Sequence, residues 1–365
     1  MFREEAQPGE RRRYTKRFLA TPVGDFREWT EREWRILARL VGHGIASVPD
    51  VVQFDRGAAG RAALVQTYDA GITVDHWATL LPVERDGVSR RSVFDDCAHW
   101  WALGKHCLVA LDAIHALDVV HLDLKADNVC IPASPAVIAP RAAFVAALFP
   151  RYDQLALIDF AFALVSGEPL LTALPIARQF DYDYQSPRLL EALEAGSRGD
   201  LTLTQRLDWR CDVFSLAAML RRYLPDPEGA LEAGWTAPRY AEARAFVRRL
   251  LEAHDGERPA LRPHAGWIAR ATAVLAEDDL AASLRRGWRL GFLGTYDVPD
   301  TPTPVTRIAR PVPPTLGLAT PIPLTPLMVH GAGDGGFVAR AFGHGGTDER
   351  HRRESGPCPR GTDTA

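Results

Sequence analysis

Asp123, Lys125 and Asn128 bring a carboxylate, an ammonium and an amide oxygen into one short stretch of chain. These are the groups that phosphoryl transfer needs: a base, a phosphate clamp and a metal ligand. They lie in Val119-Val-His-Leu-Asp-Leu-Lys-Ala-Asp-Asn-Val-Cys-Ile131, where a polar cluster separates two apolar runs. Such a cluster reads as a loop held between buried strands. A second acid, Asp159, closes the apolar run Leu155-Ala-Leu-Ile. Taken alone, an acid in that place is as often a turn cap as a ligand.

Two further groups complete the candidate set. From Asp25 to Leu40 the residues Phe26, Trp29, Ile36, Leu37 and Leu40 recur at helical spacing, and Glu33 falls inside that stripe. A carboxylate on a buried helix face needs a cation. Lys16, in the short extended run Tyr-Thr-Lys-Arg-Phe, is the natural partner. Of the 43 basic residues only three are lysine: Lys16, Lys105 and Lys125. A compact ammonium is not interchangeable with a forked guanidinium where one phosphate must be held at close range. Lys16 and Lys125 fit that role; Lys105 reads as an accidental survivor.

The pattern H-x-D-L-K-x-x-N at 121–128 resembles the catalytic loop of protein kinases, with Leu122 where an Arg is usual. Asp159-Phe-Ala resembles their D-F-G motif, and Tyr184-Gln-Ser-Pro-Arg188 resembles the Y-x-A-P-E that closes the activation segment. Asp212 opens an apolar helix similar to the central helix of the larger kinase lobe, whose acid holds the catalytic-loop backbone. Arg258-Pro259 resembles the Arg-Pro near the domain end. The resemblance covers residues 1–278 in the expected order. It implies an α+β, bilobal fold: a small, truncated, β-rich lobe over 1–68, a larger helical lobe over 69–278, and a Pro- and Gly-rich, mostly disordered tail over 279–365.

The same resemblance implies roles. Asp123 would be the base and Lys125 would steady the γ-phosphate. Lys16, paired with Glu33, would grip the α- and β-phosphates of ATP. Asn128 and Asp159 would hold Mg2+, and the segment from Gln66 through Thr67 and Tyr68 to Gly71 would be the hinge meeting adenine. Lys125, two residues after Asp123, points to Ser/Thr over Tyr. The glycine-rich phosphate loop is missing, since its place falls before Met1; either the true start lies upstream or the phosphates have no roof. Arg188 stands where a Glu is usual, and Asp181 where a Thr is. Without an Arg at 122, a phosphorylated activation loop would lose its main cationic partner.

Three functions fit: a Ser/Thr protein kinase, a small-molecule kinase of the antibiotic or lipid-sugar type, and a pseudokinase binding module. The Tyr184–Arg188 pattern weighs against the second, and the retained Lys16, Asp123, Asn128 and Asp159 against the third.

Composition narrows the setting. At 365 residues, 47% hydrophobic and 24% charged, the chain is long enough for a large core. A net charge of −3 gives no electrostatic case for nucleic acid or an anionic membrane. Five cysteines without a C-x-x-C pair argue against disulfides or a zinc site. With no apolar leader and no long apolar run, the expectation is a cytoplasmic protein; the kinase resemblance implies a protein substrate, and the Pro-rich tail is open to a binding partner.

The remaining elements read in order. Residues 1–20 predict a hairpin about Gln-Pro-Gly-Glu, 48–54 and 62–67 two strands, and 99–117 a buried helix. Residues 132–154 predict an inserted loop with a short helix over 142–149. Helices follow from Asp212, over 240–251, and over 267–275.

Overall fold

The computed structural model describes residues 12–19, 27–55, 61–68, 72–79, 83–85, 88–90, 92–135, 145–168, 183–256, 261–285 and 288–291. These residues form a mixed helix and sheet structure, mostly helical, with small sheets.

The first sheet is built by β1 (Arg12–Leu19), β2 (Asp50–Asp55) and β3 (Arg61–Tyr68), in the order β1-β3-β2 and antiparallel throughout. β1 pairs with β3, placing Lys16 opposite Leu64. Its expected hairpin partner, residues 1–6, lies outside the described residues. α1 (Arg27–Gly42) runs between β1 and β2 in the chain and packs on β2, β3 and the turn that follows Asp159. Ile36, Leu37 and Leu40 are buried on the expected face, and Glu33 is fully buried among them.

β4 (Ile72–Thr73) and α2 (Val74–Thr79) lead from the sheet into the helical part, followed by the short strands β5 (Val83–Arg85) and β6 (Val88–Arg90). α3 (Cys97–His115) is the central helix. Asp96 caps it, its carboxylate accepting from the main-chain N–H of Ala98 and His99, which satisfies donors that a helix start leaves unpaired. The helix is apolar nearly all round, as a helix surrounded by core must be. Trp100 and Trp101 meet edge to face at 5.2 Å, and Trp101 lies 4.9 Å from Phe246 between ring centres.

β7 (Val119–Val120) and β8 (Val129–Ile131) flank the candidate loop; β9 (Ala133–Pro135) and β10 (Val145–Pro150) follow. β11 (Ala156–Leu157) pairs with β8, and β12 (Leu164–Val165) pairs with β7. The helices α4 (Pro187–Ser197), α5 (Trp209–Arg222), α6 (Pro227–Glu232), α7 (Ala237–Asp255), α8 (His264–Leu275) and α9 (Asp278–Leu284) complete the helical part. The last strand, β13 (Trp288–Gly291), joins a five-stranded sheet ordered β6-β5-β13-β10-β9.

That sheet departs from the reading of the sequence twice. Ala-rich residues 142–149 predict a helix, yet 145–150 form β10, because β13 offers a partner whose ladder outweighs local helix propensity. α9 and β13 also continue past residue 278, where the sequence reading starts the tail; Ser283 on α9 donates to Asp96 at 3.0 Å. The residues beyond 291, with the Thr-Pro and Gly-rich stretches, lie outside the described residues.

Candidate functional site

The site is built by two short ladders and one buried carboxylate. β7 delivers the chain to His121, and β8 takes it away after Asn128. The β8–β11 ladder, extended by Ile158 N–H donating to Asn128 O at 2.9 Å, brings Asp159 beside Asn128. The β7–β12 ladder returns the chain after Asp159 to the loop's own start.

Asp212, the fully buried acid near the start of α5, fixes the loop backbone. Its carboxylate accepts from His121 N–H at 2.7 Å, Leu122 N–H at 2.8 Å and His115 Nε2 at 2.8 Å. Leu122 is thereby held at φ 63°, a left-handed conformation that a branched residue avoids unless its surroundings impose it. That turn of the backbone separates the His121 and Asp123 side chains. His121 goes inward to the Ile158 carbonyl at 3.0 Å, and Asp123 faces Lys125 and Asn128.

Asp123 is 1% exposed and meets three donors. Lys125 Nζ donates to both carboxylate oxygens, at 3.0 and 3.3 Å. Asn128 Nδ2 donates to Oδ2 at 2.9 Å and to the Asp123 carbonyl at 2.8 Å. Gln185 Nε2 donates to Oδ1 at 3.3 Å. Each amide then leaves its own oxygen over: Asn128 Oδ1 and Gln185 Oε1 are buried with no hydrogen-bond partner. Such orphaned atoms are rare in folded proteins and call for an explanation. Asp159 itself sits at φ 63° and ψ 70°, a second strained residue at the same place.

The charges of the site are unbalanced. Burial pushes the Asp123 carboxyl up, Lys125 pulls it down, Asp159 pushes it up again, and the net direction is upward. Burial pulls the Lys125 ammonium down, yet the carboxylates of Asp123, Asp159 and Asp127 outweigh it and its pKa is raised. An isolated ion pair would lower its acid and raise its base. Asp123 rises first because it is buried and then because the Asp159 carboxylate is near, while Lys125 rises because the carboxylates around it outweigh its burial, so negative charge is in surplus among the described side chains. A hard cation with oxygen ligands fits that surplus, and Asn128 Oδ1 with the Asp159 carboxylate supplies the donor types Mg2+ takes. Among the described residues no group of three or more His, Cys, Asp or Glu suited to a metal occurs.

The other expected residues divide. Glu33 is buried on α1, but the side chain of Lys16 lies outside the described residues, so their pairing does too. Thr67 lies opposite Arg13 on one side and Asp50 on the other, which puts it inside the sheet; Tyr68 is registered with Arg12. The rest of the expected hinge, residues 69–71, lies outside the described residues, as do Asp181 and Arg258.

Three features were not foreseen. Gln185 reaches Asp123 across 62 residues of chain. His115 Nδ1 meets His264 Nε2 at 2.9 Å, extending the Asp212 network into α8. Residues 257–260 lie outside the described residues, and Arg188 stands beside α7 rather than against a described acid. It donates to the Gly256 carbonyl at 3.4 Å, beside a buried Arg210–Asp208 pair at 2.8 Å whose Arg210 donates to the same carbonyl at 2.6 Å. An Asp and an Arg two positions apart carry no spacing signal that would mark such a pair in the sequence.

No family model matches the chain. No curated protein matches it either. Among solved structures, the chain is similar to the kinase PK-1 of Cydia pomonella granulovirus, at 15% identity and a TM-score of 0.39, covering 67% of this chain and 81% of that one. A likeness of that size carries no argument about activity. Among the described residues no helix is long and apolar enough to cross a membrane.

Proposed function

We propose that the chain is an ATP-dependent phosphotransferase with the two-lobed arrangement of protein kinases, acting on Ser or Thr hydroxyls. The observation that carries this reading is Asn128: its amide nitrogen is pinned to Asp123, and its oxygen is left buried and unmet. A buried asparagine amide ordinarily has both ends satisfied.

In this reading the Asp123 carboxylate orients the acceptor hydroxyl and takes its proton. The acceptor oxygen bonds to the γ-phosphorus as the bond from that phosphorus to the β–γ bridging oxygen breaks. ADP leaves with the electron pair. Lys125, already beside Asp123, holds the γ-phosphate oxygens, and Lys16 with Glu33 holds the α- and β-phosphates. The main-chain groups of Thr67 and Tyr68 would meet adenine. Asn128 and Asp159 would hold Mg2+, which when bound neutralises charge developing on the phosphates. The raised pKa of Asp123 suits a base, since a stronger base takes a proton more readily once ionised.

The test is label transfer from γ-labelled ATP with magnesium, comparing the chain with Asp123→Asn and Asp159→Asn. Both variants are expected to lose label at least about a hundredfold, with Asp159→Asn also losing magnesium-dependent ATP binding. Equal labelling by Asp123→Asn would refute the base. Nucleotide binding without any label transfer would leave a binding module in its place.

A further inference from the structure

We propose that Gln185 is a specificity-determining residue: its Nε2 holds the base, and its Oε1 accepts a hydrogen bond from a donor that the phosphate acceptor carries next to its reacting hydroxyl. The inference rests on the phosphotransfer reading above and names the acceptor's chemistry more closely.

The orientation of the Gln185 amide is dictated by its neighbour. Asp123 Oδ1 already receives Lys125 Nζ at 3.3 Å, and the facing Gln185 atom at 3.3 Å is the donor end, since an amide oxygen there would meet a carboxylate oxygen. Oε1 is the other end of the same planar amide, so it lies within a few ångströms of the base. It is buried, has no partner, and belongs to a residue only 2% exposed. Leaving an acceptor buried and unmet costs free energy unless something fills it during the working cycle.

The backbone on either side of Gln185 is anchored, so the orphan is not a side chain caught in passing. Ser186 Oγ accepts from Leu189 N–H at 3.2 Å and caps α4, with Pro187 at the first helical position. Tyr184 on the other side is buried beneath the Arg222 guanidinium, 5.7 Å from its ring centre. Gln185 and Asn128 thus form a symmetrical clamp, one amide on each carboxylate oxygen, each with one oxygen to spare. The spare oxygen of Asn128 belongs to a residue whose carbonyl accepts from Ile158 N–H, next to Asp159 in the chain, and in the phosphotransfer reading it takes the cation. That of Gln185 comes from a different part of the chain, the segment before α4, and a neutral amide oxygen is met by an N–H or O–H. A serine or threonine within a polypeptide carries such an N–H on the atom next to its Cα; a polyol carries a neighbouring hydroxyl instead.

The experiment compares two acceptors that differ in that donor alone: a Ser-containing peptide and the same peptide with the serine nitrogen methylated. Glycerol and 1,3-propanediol provide the polyol arm, and hydrolysis of ATP by water gives the turnover without acceptor. The intact chain is expected to favour the N–H peptide about tenfold or more in kcat/KM, the size of one buried hydrogen bond. Gln185→Met, nearly isosteric, should slow transfer to both peptides but bring their ratio near one. Gln185→Glu keeps an acceptor oxygen while setting a carboxylate against Asp123, so it should be slow with both peptides and keep the preference. Discrimination confined to glycerol over propanediol, and lost in Gln185→Met, would assign the same oxygen to a hydroxyl donor. A Gln185→Met protein that melts like its parent and keeps the full peptide preference would overturn the proposal. Absence of label transfer to every acceptor by the intact chain, water included, would instead overturn the phosphotransfer reading.

Discussion

Replacing Asp212 by Asn tests how the candidate loop is held. The buried carboxylate takes three hydrogen bonds at 2.7 to 2.8 Å, two on Oδ2 and one on Oδ1. An asparagine keeps one oxygen, which can serve His121 and His115, but its NH2 then faces the Leu122 N–H. Losing a charge-assisted bond and leaving a buried donor unmet costs about 2–3 kcal/mol, and the two surviving bonds weaken by about 0.5–1 kcal/mol each as their acceptor becomes neutral. The sum is about 3–5 kcal/mol, which for a folded part of this size lowers Tm by roughly 6–20 °C. Leu122 would also lose the bond that keeps it in the left-handed region, so Asp123 should drift and turnover fall about a hundredfold. Calorimetry and ATP turnover measure both. An Asp212→Asn protein that melts within about 2 °C of its parent, with unchanged turnover, would refute the claim that this carboxylate sets the loop.

Two further outcomes concern protons. Lys125→Met removes the ammonium that pulls the Asp123 carboxyl down, so whatever turnover survives should show its acidic limb at higher pH; an unmoved limb would mean the two groups are not coupled. In the parent, the raised pKa of Lys125 means its contribution to stability is whole below the ordinary lysine range and fades as pH rises through the folded value, and the Met variant should lack that alkaline loss. His264 is held down to about 3, first by burial, then by His115 and Arg262, the latter itself 3.8 Å from Asp112. Its depressed pKa adds stability above the ordinary histidine value and loses it as pH falls from about 6.5 towards about 3. Asp212 Oδ2 accepts from main chain and side chain alike, so His115 carries its proton on Nε2 and accepts at Nδ1 from His264 Nε2–H. His264→Gln, which keeps a donor, should flatten the acid loss while leaving the His115 tautomer unchanged by nitrogen NMR; a shifted tautomer would count against the chain of bonds.

Much of this was legible in the sequence because it depends on short-range pattern. The stripe through Ile36, Leu37 and Leu40 fixes a helix and buries Glu33 whatever surrounds it. The apolar runs around residues 121–128 and before Asp159 specify buried strands, and the acid at 212 is marked by its place at the start of an apolar helix. Residue types at fixed spacing thus named Asp123, Lys125, Asn128 and Asp159 as candidates. What spacing cannot encode is which distant atoms meet. Residues 145–150 became a strand because β13 lies beside them, a partner more than a hundred residues away. Gln185, His264 and the Asp208–Arg210 pair gained their roles from packing, and only the fold reveals that two amides close on one carboxylate and leave two oxygens unmet. Local periodicity decides which elements form; the balance of buried charge and unpaired polar atoms exists only once those elements have packed.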